Sequence, residues 1–151
     1  MGRSAWVPSD EVLDRIFRQT KTIAVVGASN REHRAGHYIP RYLKSQGYRI
    51  IPVNPNYEEV LGEKCYPSLL NVPDQVDVVE VFRRPEFCED VAHDAVKIGA
   101  KVLWLQLGIV CEPAEKIASE AGLIVVMDAC MGPEHRRLLG SSANGANAPN
   151  S

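Results

Sequence analysis

Five short apolar runs set what this chain can fold into: Thr22–Val26, Arg49–Val53, Asp77–Phe82, Lys101–Leu107 and Leu123–Met127. They are near-continuous in apolar character rather than alternating, which is the pattern of strands buried on both faces of a parallel sheet. The first stops at Gly27, the fourth at Gly108, and the second runs into Asn54-Pro55-Asn56. Pro52 falls close to the carboxyl end of its run, where ladder bonding is already ending.

Stretches of helical periodicity separate most of these runs. Ser9 is placed to cap a helix carrying Val12, Leu13, Ile16 and Phe17 on one stripe and ending near Thr20. A second helix is expected over 36–46, with Tyr38, Ile39, Tyr42 and Leu43 inward, Pro40 near its first turn and Gly47 as its stop. Helices over 85–99 and 112–122 each carry an early proline and a late glycine. A short last helix is expected over 134–139, and 57–70 reads as a loop with a helical turn near Ser68. With right-handed crossovers this order gives an α/β fold, a doubly wound parallel sheet of about five strands with helices on both faces. The pattern predicts one domain over residues 1–140. Residues 141–151 carry no large apolar side chain and are expected to form a disordered tail.

Composition narrows the function. With 151 residues, 45% hydrophobic and 24% charged, the chain has the balance of a soluble globular protein. A formal net charge of −2, with no clustering of Lys or Arg, argues against nucleic acid as a partner. No run is long enough to span a bilayer, and the amino-terminal residues lack the apolar core of a secretion signal, so a cytoplasmic location is expected. Cys65, Cys88, Cys111 and Cys130 form no C-x-x-C pair, and His33 and His37 lack the glutamate of a zinc helix, so no metal site is expected. Exposed sheet edges leave so small a domain room to pair as a homodimer.

Ligands of open α/β sheets bind beyond the carboxyl ends of the strands, at the switch in strand order. The first run ends in Gly27-Ala28-Ser29-Asn30, followed by Arg31, His33, Arg34 and His37. Backbone N–H groups, the Ser29 hydroxyl and a helix dipole can together hold a phosphate there; the competing reading is a tight strand-to-helix turn. The loop is not a dinucleotide fingerprint, because Ser29 and Glu32 stand where glycines would be required, nor a P-loop. Asn54 ends the second run where a dinucleotide site favours an acid for the ribose, which disfavours NAD. Arg83 and Arg84 end the third run and suit an anion, or else form a solvated helix start. The fourth run ends in Leu105-Gln106-Leu107-Gly108-Ile109, an apolar wall with one amide.

Taken together, Gly27-Ala28-Ser29, Gly47 to Pro55, Val81-Phe82-Arg83-Arg84, Trp104 to Gly108, and Met127-Asp128 with Cys130, Glu134 and His135 resemble the small stand-alone CoA-binding proteins of bacteria and archaea. That family is similar to the Rossmann-type CoA-binding domain of the succinyl-CoA synthetase α subunit. The resemblance spans about Thr22 to Leu139. It implies coenzyme A, or an acyl-CoA, as small-molecule ligand. It implies that Gly27, Ala28, Ser29, Asn30, Arg31 and the nearby Arg34 hold the phosphates. Val53, Asn54, Pro55 and Asn56 would line the adenine and ribose, Phe82, Arg83 and Arg84 the pantetheine or phosphates, and Leu105, Gln106 and Leu107 the far wall. Ala129 departs from the basic residue expected between Asp128 and Cys130. The synthetase carries its phosphohistidine in a further domain, so binding without catalysis is expected, and His135 does not inherit that role. Cys130 reads either as an inert thiol or as a partner for a mixed disulfide with CoA, helped by His135, Arg136 and Arg137. Glu134 and His135 read either as an acid/base pair or as a surface helix start. The rival functions are an NAD(P)-binding or small acyl-CoA enzyme, and a partner-binding domain with a vestigial nucleotide site.

Overall fold

The computed structural model describes residues 4–140, so the tail expected over 141–151 lies outside the described residues. The chain runs through α1 (Asp10–Gln19), β1 (Thr22–Val26), α2 (Ala35–Ser45) and β2 (Arg49–Val53). A small antiparallel hairpin of β3 (Glu59–Val60) and β4 (Glu63–Lys64) follows. Then come β5 (Val78–Val81), α3 (Cys88–Lys97), β6 (Val102–Leu105), α4 (Glu112–Glu120), β7 (Ile124–Val126) and α5 (Met131–His135). The five longer strands pair in parallel in the order β2-β1-β5-β6-β7. The chain winds from β1 out to β2, returns across the sheet to β5, and winds the other way. The switch point therefore lies between β1 and β5, and the fold is the doubly wound α/β fold expected from the runs.

Strand alternation divides the interior into two cores. Ala24, Val26, Val79, Val81, Leu103 and Leu105 face α3 and α4. Ile23, Val25, Val78, Val102 and Trp104 face α1, α2 and α5. Ser9 caps α1, its hydroxyl accepting from the Val12 N–H, and Leu13, Ile16 and Phe17 are buried beneath it. Phe17 packs on Trp104 with ring centroids 5.6 Å apart, and the Trp104 indole N–H donates to the Ala129 carbonyl at 2.8 Å.

The structure departs from the sequence reading in four places, one of them the last helix, which begins at Met131 and not at Glu134. Tyr38, expected inward, is 45% exposed. The segment after β2 folds as the β3–β4 hairpin, and Tyr66 adds a parallel bridge to Val53 on the β2 edge. Pro40 sits in the interior of α2, not its first turn. A proline there deprives the carbonyl one turn back, Gly36, of its helical donor. That carbonyl instead accepts the Ser29 N–H at 3.1 Å, so the proline's cost is offset by a bond that ties the β1 loop to α2.

The C-terminal helix docks through His135. Its Nδ1 is 2.9 Å from the Tyr42 hydroxyl, and Phe17, Tyr42 and Tyr48 present their rings edge-on at centroid distances of 5.2, 5.5 and 5.5 Å. Burial, aided by the Arg136 charge, holds His135 below the ordinary histidine range. The unfolded chain, titrating near pH 6.5, then binds the proton that the folded protein resists. Stability contributed by this site is full above about pH 6.5 and declines as pH falls toward the depressed folded value. Thermal midpoints measured from pH 8 to pH 5 should drop relative to those of His135→Phe, which carries no such proton. Parallel slopes would refute the assignment.

Gly36 supplies a second test. A Cβ there would lie 2.7 Å from the Gly27 carbonyl oxygen, a backbone atom with nowhere to go. Gly36→Ala should cost about 1–3 kcal/mol in denaturant unfolding through overpacking, whereas an ordinary exposed helical Gly→Ala would be stabilising.

Candidate functional site

At the switch point the β1 loop, the amino end of α2 and the ends of β2, β5 and β6 surround a groove with two lobes. The larger, of about 700 Å³, is lined by Gly27, Ser29, Arg34, Arg83, Gln106 and Cys130, among others. The second, of about 490 Å³, lies between Asn54, Pro55 and Asn56 on one side and Phe87, Asp90 and Asp94 on the other. Gly27, Asn54 and Arg83 line both, so the lobes adjoin at these residues. Both volumes are ordinary for small-molecule sites.

The groove is shaped by backbone contact. Gly27 has φ +92°, and a Cβ on it would sit 2.6 Å from the Phe82 carbonyl oxygen. Phe82 is itself held by its N–H donating to the Val26 carbonyl at 2.8 Å, and Gly27 donates to Val53 at 2.9 Å. Three strand ends thus meet with no side chain between them. Asn54 braces the same corner: its Nδ2 donates to the Ala28 carbonyl at 2.8 Å, and its Oδ1 accepts the Asn56 N–H at 2.9 Å.

The loop's polar groups are mostly committed to its own fold. The Ser29 N–H donates to Gly36, and the Ser29 hydroxyl oxygen accepts the Arg31 N–H at 3.0 Å. His37 is buried and donates Nδ1–H to the Ser29 carbonyl at 2.8 Å, the carbonyl fixing that tautomer. It supports the loop and does not face a ligand. Asn30 Nδ2 donates to the Glu59 carbonyl at 2.8 Å, fastening the loop to the hairpin. Ala35 and Gly36, in the first turn of α2, also line the groove, and first-turn amides have no carbonyl one turn behind them. They form a positive helix terminus beside Arg31 and Arg34.

Among the sequence-predicted residues, Ser29, Arg31, Arg34, Phe82, Arg84, Gln106 and Leu107 line the large lobe, Val53, Pro55 and Asn56 the small one, and Gly27, Asn54 and Arg83 both. Arg83 and Arg84 lie over the Phe87 ring at 4.4 and 5.5 Å, which fixes the Arg83 guanidinium where the lobes join. Ala28 and Leu105 are sealed in the two cores and line neither lobe, and Asn30 lines neither. Leu107, 65% exposed, is the wall residue that Leu105 is not. Gly108 and Ile109, at the end of the expected wall, line the large lobe as well; sequence reading missed Ala35, Tyr57 and the Phe87 face. Only Phe87, four residues after Arg83, carried a usable signal.

The carboxyl-terminal candidates are engaged elsewhere. Arg137 binds Glu134 at 2.7 Å and Asp10 at 2.8 Å, and Arg136 lies over the Tyr42 ring at 4.5 Å. His135 belongs to the aromatic cage, so Glu134 and His135 do not form an acid/base pair. Cys130 lines the large lobe without a cationic neighbour from this set. Burial raises its thiol pKa, a Leu107 backbone hydrogen bond lowers it in part, and Glu80 and Glu134 raise it further. That argues for a thiol, not a thiolate, at neutral pH. Among the described residues no group of His, Cys, Asp or Glu is placed to hold a metal.

The architecture is that of a Rossmann-type α/β domain with a groove at its switch point, and the sequence places it more closely. The family described as CoA binding domain matches residues 21–136, and the chain belongs to that family. It is similar to the uncharacterized protein YneT of Bacillus subtilis, 40% identical over 128 residues that cover 85% of this chain and 95% of that one. It is 38% identical over 87 residues to an ADP-forming acetate–CoA ligase of Methanocaldococcus jannaschii, covering 55% of this chain but only 12% of the ligase. Among solved structures, a hypothetical protein from Pyrococcus horikoshii superposes with a TM-score of 0.89 at 45% identity, covering 93% of this chain and 99% of that one.

The corner brace is testable on its own. Asn54→Ala would strand the Ala28 carbonyl and free the Asn56 amide, and should lower stability by about 1–3 kcal/mol. Hydrogen exchange should quicken over residues 54–57 ahead of the sheet. Unchanged exchange there would show that the brace is not needed.

Proposed function

We propose that the protein binds coenzyme A, free or acylated, along the two-lobed groove, and serves as a carrier or sensor of it in the cytoplasm. The observation that carries this reading is the pairing of a cationic helix start with a two-lobed groove at the switch point. Diphosphate sits in the large lobe against Ala35, Gly36 and Arg34, with Arg83 at the junction of the lobes. Adenosine then occupies the smaller lobe against Pro55 and the Phe87 side, and pantetheine runs past Phe82 toward Gln106 and Leu107. Family membership supports CoA over other nucleotides. Asn54 supports it over NAD as well, because its amide is consumed by Ala28 and Asn56 and offers no carboxylate to a ribose. Four free cysteines accord with a reducing compartment. The ligation carried out by the acetate–CoA ligases is a property of proteins of which this chain matches a small part, and we do not extend it here.

Thermal unfolding with CoA, acetyl-CoA, NAD and ADP at matched concentrations tests the reading. CoA at a hundredfold excess over its dissociation constant should add about 2.7 kcal/mol of stability. NAD should add none. Arg83→Ala should weaken CoA binding by roughly tenfold or more through loss of a charged hydrogen bond. A shift with NAD and none with CoA would replace the ligand, and no shift with any of the four would remove the cofactor reading altogether.

A further inference from the structure

Beneath the groove lies a carboxyl group that no feature of the binding surface calls for. Glu80 is on β5, in register with Val25 of β1 and Trp104 of β6, and is fully buried. Its Oε2 accepts a hydrogen bond from Gln106 Nε2 at 2.9 Å, and its Oε1 is buried without a partner among the described residues. Gln106 is the link to the ligand side. Its Oε1 accepts the Met131 N–H at 3.3 Å, which fixes its amide orientation, and the same residue lines the large lobe. One Nε2 hydrogen remains for a carbonyl or amide oxygen in the groove.

The surroundings of Glu80 are apolar on its own strand, with Val79 and Val81 as its sequence neighbours. From β1 it faces Val25, from β6 Trp104, and the titratable group that feels its charge is Cys130, at the entrance to α5. Burial alone raises its carboxyl to about 8. At neutral pH the side chain is therefore mostly a neutral acid.

We propose that Glu80 is a positioning residue for Gln106 and couples occupancy of the groove to uptake of a proton. The proposal rests on the CoA reading above. Two effects of a bound CoA act on Glu80 with the same sign. Pantetheine over Gln106 removes the remaining solvent from the groove floor, which disfavours the carboxylate. The phosphates add negative charge along the same groove, which disfavours it further. The bound protein thus holds the Glu80 proton to higher pH than the free protein does. By linkage, affinity is level well below pH 8 and falls as pH rises through that value, with a proton taken up on binding in this window.

Calorimetry of CoA binding to the intact protein, from pH 7 to pH 9 in two buffers of different ionisation enthalpy, measures both quantities. The native protein should lose affinity by up to roughly tenfold across that range and take up a fraction of a proton near pH 8. Glu80→Gln keeps an acceptor for Gln106 but cannot ionise, so whatever its affinity at pH 7 it should lose that pH-dependent component, and ionisations of CoA itself cancel in the comparison. A measurement on the unaltered protein guards against a variant that fails to fold: the Glu80 carboxyl carbon, followed by NMR in 13C-glutamate-labelled protein, should titrate at higher pH with CoA than without. Equal pH profiles in the two proteins, or a Glu80 titration that stays or moves down with CoA, would overturn the coupling and leave the CoA reading intact. Absence of CoA binding to the native protein at every pH would instead overturn the CoA reading, and this inference with it.

Discussion

The close approach of backbone at the end of β1 governs the rest of the site. Gly27 faces the Phe82 carbonyl and Gly36 faces the Gly27 carbonyl, each at a distance that leaves no room for a Cβ. Because β1 and β5 are neighbours in the sheet while their following segments leave in opposite directions, a crevice must open there. The two glycines let α2 start directly over that crevice. Any bulk at either position would lift the helix, and with it the Ala35 and Gly36 amides, off the groove.

The same contact explains where the anion seat lies. A loop after a strand can present its amides outward or use them to hold itself together. Here Gly27, Ser29 and Arg31 all donate inward. Pro40 is part of the reason. By leaving the Gly36 carbonyl without its helical donor, it creates the acceptor that the Ser29 N–H takes. The loop is thereby stiffened, and the positive field comes from the helix terminus and from arginines held on ring faces. A rigid loop with a short helix end beside it suits a ligand bound by charge and shape, since little order is lost on binding.

Much of this was legible in the sequence, for a physical reason. A strand buried on both faces must be apolar throughout, so the five runs announced five parallel strands and their carboxyl ends announced the groove. Arg83 and Arg84, following a strand without a break, had to emerge at that edge. What could not be read was set by contacts distant in sequence. The β3–β4 hairpin depends on Tyr66 bridging to Val53 and on Asn30 reaching Glu59. Leu105 and Leu107 differ in burial because the sheet ends between them, and apolar character says nothing of where a ladder stops. Tyr38 and Pro40 were misplaced because helical periodicity gives a face but not which turn comes first.

The residues that looked chemical and those that looked structural also exchanged places. Glu134, His135, Arg136 and Arg137 form a run rich in acid, base and cation, yet His135, Arg136 and Arg137 fasten the last helix to α1 and α2, and Glu134 holds Arg137. Aromatic rings around a neutral imidazole, and an arginine shared between two acids, are ways of docking an amphipathic end whose apolar surface is small. Glu80 is the converse. Within Val78-Val79-Glu80-Val81 it reads as an interruption of a buried strand, a cost with no local compensation. Its single hydrogen bond goes to the side chain that floors the groove. A buried acid at the centre of a sheet is a cost that packing does not offset, and its one polar contact points toward the ligand side.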